Sequence, residues 1–341
     1  MQRTCCPDSA TLAQTIEGRR LLQQETGEKN WYRWGPYLSE RQWGTVREDY
    51  SADGEPWDYL GHDDARRKTY RWGEDGLAGF SDIDQKLCLG LALWNGRDPI
   101  LKERLFGLTN AQGNHGEDVK EYYYFLDALP SHAYCKMLYK YPQEAFPYAE
   151  LEEQNRQRKA EEDEYELIDT GLFDDNRYFD ILVEYGKGDT DDILLKVSAT
   201  NRATEAHPLT VIVQLWYRNV WSFSSGVPRP ALTLKDGAVH CDHPDFSDLI
   251  LVGDQAEFLF CDNENAAAGV AYPKESFHLA VVESRTEAVN SAMTGTKAGL
   301  KFQALVAGGD TAIFRARLRN NKTLGDFEQV MDRRRNEADE F

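Results

Sequence analysis

The sequence predicts a mainly β protein: an antiparallel two-sheet β-sandwich with long aromatic loop insertions and a few flanking helices. Three observations predict it. Segments beyond residue 166 alternate apolar and polar residues with period two, the mark of half-buried strands. The connectors between them are short and rich in turn-forming residues. No regular alternation of strand and helix runs along the chain, which argues against a parallel α/β sheet and leaves two stacked sheets as the natural way to bury the apolar faces.

The elements follow in order. Residues 1–30 hold an N-terminal helix over 9–25, started by Asp8 or Ser9 and carrying a thin stripe of Leu12, Ile16 and Leu22. Residues 31–148 form an aromatic, loop-rich front section. Six of the eight tryptophans lie before residue 95 and twelve of the seventeen tyrosines at or before Tyr148, so the chain changes character near residue 150. Residues 149–166, AELEEQNRQRKAEEDEYE, are almost free of bulky apolar groups and read as a solvated helix or linker.

Residues 167–320 carry the clearest strands. Their inward faces are Phe179, Ile181, Val183 and Tyr185; Ile193, Leu195, Val197 and Ala199; Leu209, Val211, Val213, Leu215 and Tyr217. Two later strands give Leu300, Phe302, Ala304 and Val306, then Ala312, Phe314, Ala316 and Leu318 with Arg315, Arg317 and Arg319 opposite. EFLFC and DLILVG read as further strands. GKGDTDD and TNRATEAHP are expected to make hairpin-like connections. Residues 321–341 begin a helix with Thr323 and Asp326 as a capping box and Phe327, Val330, Met331 and Arg334 on one face. No glycine or proline stops that pattern before Phe341, so either a helical linker toward a further domain or a frayed end is expected.

Composition bounds the partners. A chain of 341 residues suggests about two domains at roughly 150 residues each. Thirty-nine basic against 58 acidic residues give a net charge of −19, which repels phosphate backbones and argues against nucleic acid as a partner. No apolar run reaches the roughly 20 residues that span a bilayer, and no apolar export segment opens the chain. Six cysteines without a C-x-x-C spacing read as reduced thiols of a cytoplasmic protein, so the Asn321 glycosylation sequon carries no weight. No cofactor is expected. GLTNAQGNHGED lacks the lysine of a phosphate loop, no G-x-S-x-G is present, and HCDHPD, with His240, Asp242, His243 and Asp245, matches no metal-ligand pattern and reads as a turn between strands.

The front section carries the chemistry. WGPYLSERQWGTVREDYS, from Trp34 to Ser51, mixes flat aromatic rings with carboxylates and arginines. Sugars need that mixture: an apolar C–H face lies on a ring, and hydroxyls need planar polar partners at the rim. About 100 Å² of buried ring surface contributes roughly 2–3 kcal/mol before ordering costs. Trp34, Tyr37 or Trp43 would offer a ring. Glu40, Arg41, Arg47, Glu48 and Asp49 would supply rim hydrogen bonds or domain-pairing ions, with Asn114, His115, Glu117 and Asp118 on the same wall.

Those residues carry a resemblance. The run from Trp34 to Ser51, YLGHDDARRKTYRWGEDGLAGFSD, ERLFGLTNAQGNHGEDVKEYYYFLD and LWYRNVWSF together resemble the N-terminal region of glycoside hydrolase family 63 proteins, the processing α-glucosidase and mannosylglycerate hydrolase relatives, over about Trp31 to Arg319. The resemblance implies an N-terminal sandwich followed by an (α/α)6 barrel. It implies inverting hydrolysis by two carboxyl groups on the barrel, about 6.5–9.5 Å apart. No position of this chain matches those two acids, so no catalytic residue is assigned. The expectation is a supporting domain whose front section packs on the barrel and partly walls the cleft for an oligosaccharide or glycoside. A stand-alone carbohydrate-binding module is the alternative, and a complete short enzyme using front-section acids is a third reading.

Overall fold

A computed structural model describes residues 9–39, 67–69, 75–108, 118–159, 161–320 and 325–341. In chain order the described elements are α1 (Ser9–Leu12), α2 (Ile16–Glu25), β1 (Trp34–Pro36), β2 (Leu77–Asp82), β3 (Leu87–Trp94), β4 (Gly107–Leu108), β5 (Asp118–Val119), β6 (Tyr123–Ala128) and β7 (Tyr134–Pro142). They continue with α3 (Tyr148–Gln157), β8 (Tyr178–Asp189), β9 (Asp192–Asn201), β10 (His207–Tyr217), β11 (Ala231–Lys235), β12 (Ala238–Asp242), β13 (Leu249–Gly253) and β14 (Glu257–Cys261). The last are α4 (Ser276–Val281), β15 (Thr294–Gly295), β16 (Lys297–Val306), β17 (Thr311–Asn320) and α5 (Phe327–Glu340).

The strands form a sandwich. One sheet has the order β1-β2-β3-β10-β16-β14, and the other β15-β11-β12-β13-β17-β9-β8-β7-β6. Neighbouring strands pair antiparallel, as in Val211 opposite Phe302 and Val183 opposite Val197. The main core lies between the sheets. It takes Phe179, Ile181, Val183 and Tyr185 from β8, Ile193, Leu195, Val197 and Ala199 from β9, and Leu209 to Tyr217 at every second position from β10. Leu300, Phe302 and Val306, with Phe314, Ala316 and Leu318, complete the inward faces that alternation predicts, while Ala304 and Ala312 pack partly buried against them.

The front section supplies strands as well as loops. In β3, Leu87, Leu89, Leu91 and Leu93 face the main core, while Ala92 joins Ile212, Leu259 and Phe277 in a second layer under α4. A strand covered on both faces loses its alternation in sequence. On the far side of the nine-stranded sheet, α5 covers β7, β8 and β9, with Trp31, Tyr134, Leu194, Val330 and Met331 as an apolar layer, and α2 packs beside α5, Arg20 pairing with Glu337 and Glu17 accepting the Ser131 N–H. The arginines opposite the β17 core face are used there: Arg317 clamps Asp192 through Nε and Nη2, both at 2.7 Å, and Arg315 pairs with Glu328 of α5.

Three expectations change. The N-terminal helix breaks after Leu12, because Thr15 Oγ1 accepts the Gly18 N–H at 3.0 Å and restarts the helix as α2. The segment after Asn201 is not a hairpin: β9 lies in the nine-stranded sheet and β10 in the six-stranded one. Asn201 pins this crossover, its Nδ2 donating to the Glu205 and Val306 carbonyls and its Oδ1 accepting the Ala203 N–H. Residues 149–166 do not simply face water. Leu151 of α3 is fully buried with Phe106, Leu108, Phe146 and Leu167, and Lys120 pairs with Glu164 and Glu166. For α5, Asp326 is the cap, accepting the Gln329 N–H at 3.0 Å, while Thr323 lies outside the described residues. His240 sits within β12, and His243 stacks on Tyr217 with ring centroids 5.6 Å apart.

Candidate functional site

Two grooves meet along β1 and the residues that follow it. Among the described residues β1 is an edge strand that pairs only with β2, and Pro36 fits there because an edge needs no further N–H donor. The chain stays on the sheet past Pro36: the Tyr37 N–H donates to the Gly79 carbonyl at 3.1 Å. The Tyr37 ring lies over Gly79, where a Cβ would stand 2.3 Å from the ring. Its hydroxyl donates to the Asp75 carbonyl at 2.6 Å.

The first groove, about 590 Å³, is apolar and is lined by Tyr37, Leu38, Phe125, Leu126, Met137 and Tyr185 among others. Phe125 and Leu126 are 54% and 50% exposed. Cys135 also lines it, but burial pushes its thiol up to about 12, so it stays protonated and unreactive at neutral pH.

The second groove, also about 590 Å³, shares Pro36 and Tyr37 and runs past Tyr32, Ile83, His132 and Arg218. The Tyr32 and His132 rings tilt together at 5.9 Å. Burial, and then the charge of Lys187, lower the His132 pKa and favour the neutral imidazole. Burial raises the Asp82 pKa, opposed by its turn contacts: Oδ1 accepts the Leu87 N–H at 2.7 Å and Oδ2 the Asp84 N–H at 3.1 Å. This carboxyl builds the β2–β3 turn.

The residues expected to bind are placed differently. Tyr37 borders both grooves. Trp34 is fully buried, with its ring against Phe246 and its Nε1 donating to Asp191 at 3.0 Å, so it offers no face to a sugar and serves the core instead. Asp118 opposes Leu108 in the β4–β5 pair. Glu40, Arg41, Trp43, Arg47, Glu48, Asp49, Asn114, His115 and Glu117 lie outside the described residues. Sequence reasoning passed over Tyr32, His132 and Arg218. Arg218 stands within LWYRNVWSF, but nothing local in the sequence tells a groove arginine from a paired one.

Among the described residues, no cluster of three or more His, Cys, Asp or Glu side chains could hold a metal ion, and no helix is long and apolar enough to cross a membrane. Cys135, Cys241 and Cys261 are free and buried, and Cys88 is buried.

No protein-family model matches the chain. The chain is 36% identical over 386 residues to an uncharacterized protein of Saccharomyces cerevisiae, an alignment covering 96% of this chain and 36% of that protein. The chain thus spans about a third of the length of the curated relative it matches.

Proposed function

We propose that the chain is the non-catalytic β-sandwich domain of a cytoplasmic, inverting, family 63-like glycosidase of α-glucosidase type, supporting and partly walling the sugar cleft of an (α/α)6 barrel. The observation that carries this reading is the apolar groove beside β1. Its Tyr37 belongs to the segment that resembles the family, and its Leu38, Phe125 and Leu126 leave an apolar face open to a second body. In the second groove Asp82 holds a turn and Asp84 pairs with Lys86, while Asp127 lies exposed on the first. The yeast relative has length beyond the matched third for a second, larger domain.

The test uses that relative. Its full-length form should hydrolyse an aryl α-glucoside, and the portion matching this chain should not. Hydrolysis by the matched portion alone, lost on replacing a front-section acid, would favour the short-enzyme reading. An inactive full-length protein would remove the glycosidase assignment. The exposed Tyr32 ring favours a second reading, a stand-alone carbohydrate-binding module. It requires that the matched portion bind sugar as tightly as the full-length protein does.

A further inference from the structure

Among the described residues, Arg218 is the charged group of the second groove that nothing neutralises. Among the described residues no hydrogen bond or ion pair engages its guanidinium, and its Nε is buried with no partner. The other charges in and around that groove are committed. Asp82 accepts two turn N–H groups. Lys86 holds Asp84 at 3.1 Å and Asp245 at 2.8 Å. His132 is held toward its neutral form by burial and Lys187. In a chain with 58 acids to 39 bases, a half-buried arginine without a carboxylate is against the odds of composition.

What surrounds it defines a ligand. Tyr32, 38% exposed, presents a ring, and Ile83, 70% exposed, adds apolar surface at the rim. Gln85 and Asp84 place polar side chains along the same groove. A planar guanidinium binds a carboxylate through two parallel N–H bonds, and a tyrosine face takes the C–H side of a pyranose. We propose that this groove binds a carboxylated sugar, with its carboxylate on Arg218 and its ring against Tyr32. The proposal does not rest on the glycosidase reading. Loss of hydrolysis in the yeast relative would leave it intact, and its own failure would leave that reading intact.

The test is calorimetric titration of the full 341-residue chain with sodium D-glucuronate, methyl β-D-glucopyranoside, sodium acetate and an acidic hexapeptide. Glucuronate should bind at least tenfold more tightly than the neutral glucoside or acetate, and added chloride should weaken it. Arg218→Gln should weaken it tenfold or more, and Tyr32→Ala several-fold, with thermal melts confirming the fold. Absence of saturable glucuronate binding overturns the proposal. So does equal binding of the neutral glucoside, unchanged binding by Arg218→Gln, or tighter binding of the peptide than of the sugar. Should Arg218→Gln fail to fold, Tyr32→Ala and the salt series decide: binding indifferent to both overturns the assignment.

Discussion

Lys187 Nζ on β8 lies 2.6 Å from the carbonyl oxygen of Trp31, and the same amine reaches the carbonyls of Trp34 and Ser131. One buried side chain therefore ties the β1 segment and the β6–β7 turn to the nine-stranded sheet. No carboxylate touches this ammonium among the described residues. Glu17 and Asp191 act on it only through space, Arg20 opposes them, and Cys135 is its neighbour from β7.

This arrangement predicts a pH dependence. Burial lowers the Lys187 pKa from 10.5 to about 7. The native amine thus releases its proton near neutrality, while the unfolded chain keeps it to about 10.5. Between those values the unfolded state binds more protons, so this group makes stability rise with pH, by up to about 1.4 kcal/mol per unit. Asp98, raised to about 6 by burial, has finished titrating below that window. Urea melts at pH 7.0 and 8.5 should show a steeper rise for the natural chain than for Lys187→Met. Equal slopes would remove Lys187 as the cause.

A second prediction concerns a buried ion pair. Lys102 Nζ stands 3.0 Å from Glu121 Oε1, with side chains 0% and 1% exposed. The Phe146 ring centroid lies 4.0 Å from the same ammonium. Glu121 also accepts the Tyr139 hydroxyl and the Phe106 N–H. Glu121→Gln keeps one oxygen for the Phe106 N–H and turns an amide N–H toward the Tyr139 hydroxyl, which can accept it, but strands the lysine, at a cost of about 3–5 kcal/mol. Adding Lys102→Met should restore much of the loss. A double variant no more stable than Glu121→Gln would show that the pair is not the source.

The third tests how the grooves are shaped. Gly79→Ala places a methyl group 2.3 Å from the Tyr37 ring. The ring must move off β2 into the groove, at a cost of about 1–3 kcal/mol. In a Tyr37→Ala background the same change should cost much less, because its collision partner is gone. Equal costs in both backgrounds would mean that Tyr37 does not rest on Gly79.

How much of this was legible in the sequence depends on which faces meet water. β8, β9, β16 and β17 alternate cleanly because one face of each packs in the main core under a more polar opposite face, such as Arg315 and Arg317, whereas β10 is buried on both faces and alternates because Thr210 and Gln214 share the second face with Ile212. β3 does not, because Ala92 and Leu91 are buried on opposite sides. The β9–β10 crossover escaped notice because turn-forming residues look alike whether a strand returns to its neighbour or leaves for the other sheet. Asn201 makes that choice through partners as distant as Val306. The site was legible in part. An aromatic run signals ring surface but not its layer, so Tyr37 reaches a groove while Trp34 fills the core. The Arg218 signal is the lack of a partner, which exists only after folding.

The last prediction follows from β6. Among the described residues it is the outer strand of the nine-stranded sheet, pairs only with β7, and exposes Tyr124, Phe125 and Leu126 at 46%, 54% and 50%. Natural edge strands resist pairing with other chains through several devices together, among them lysine, proline, a bulge or a covering element. β6 has a register shift between Phe125 and Asp127, and a single charge, Asp127, across Tyr123–Ala128. The chain on its own should therefore self-associate as its concentration rises. Leu126→Lys places a cation on the exposed edge and removes apolar surface that is already half in water, so folding stability should change by no more than about 0.5 kcal/mol. Sedimentation velocity should show the concentration-dependent species of the natural chain reduced in the variant. Equal association by the two proteins would place the contact elsewhere on the surface.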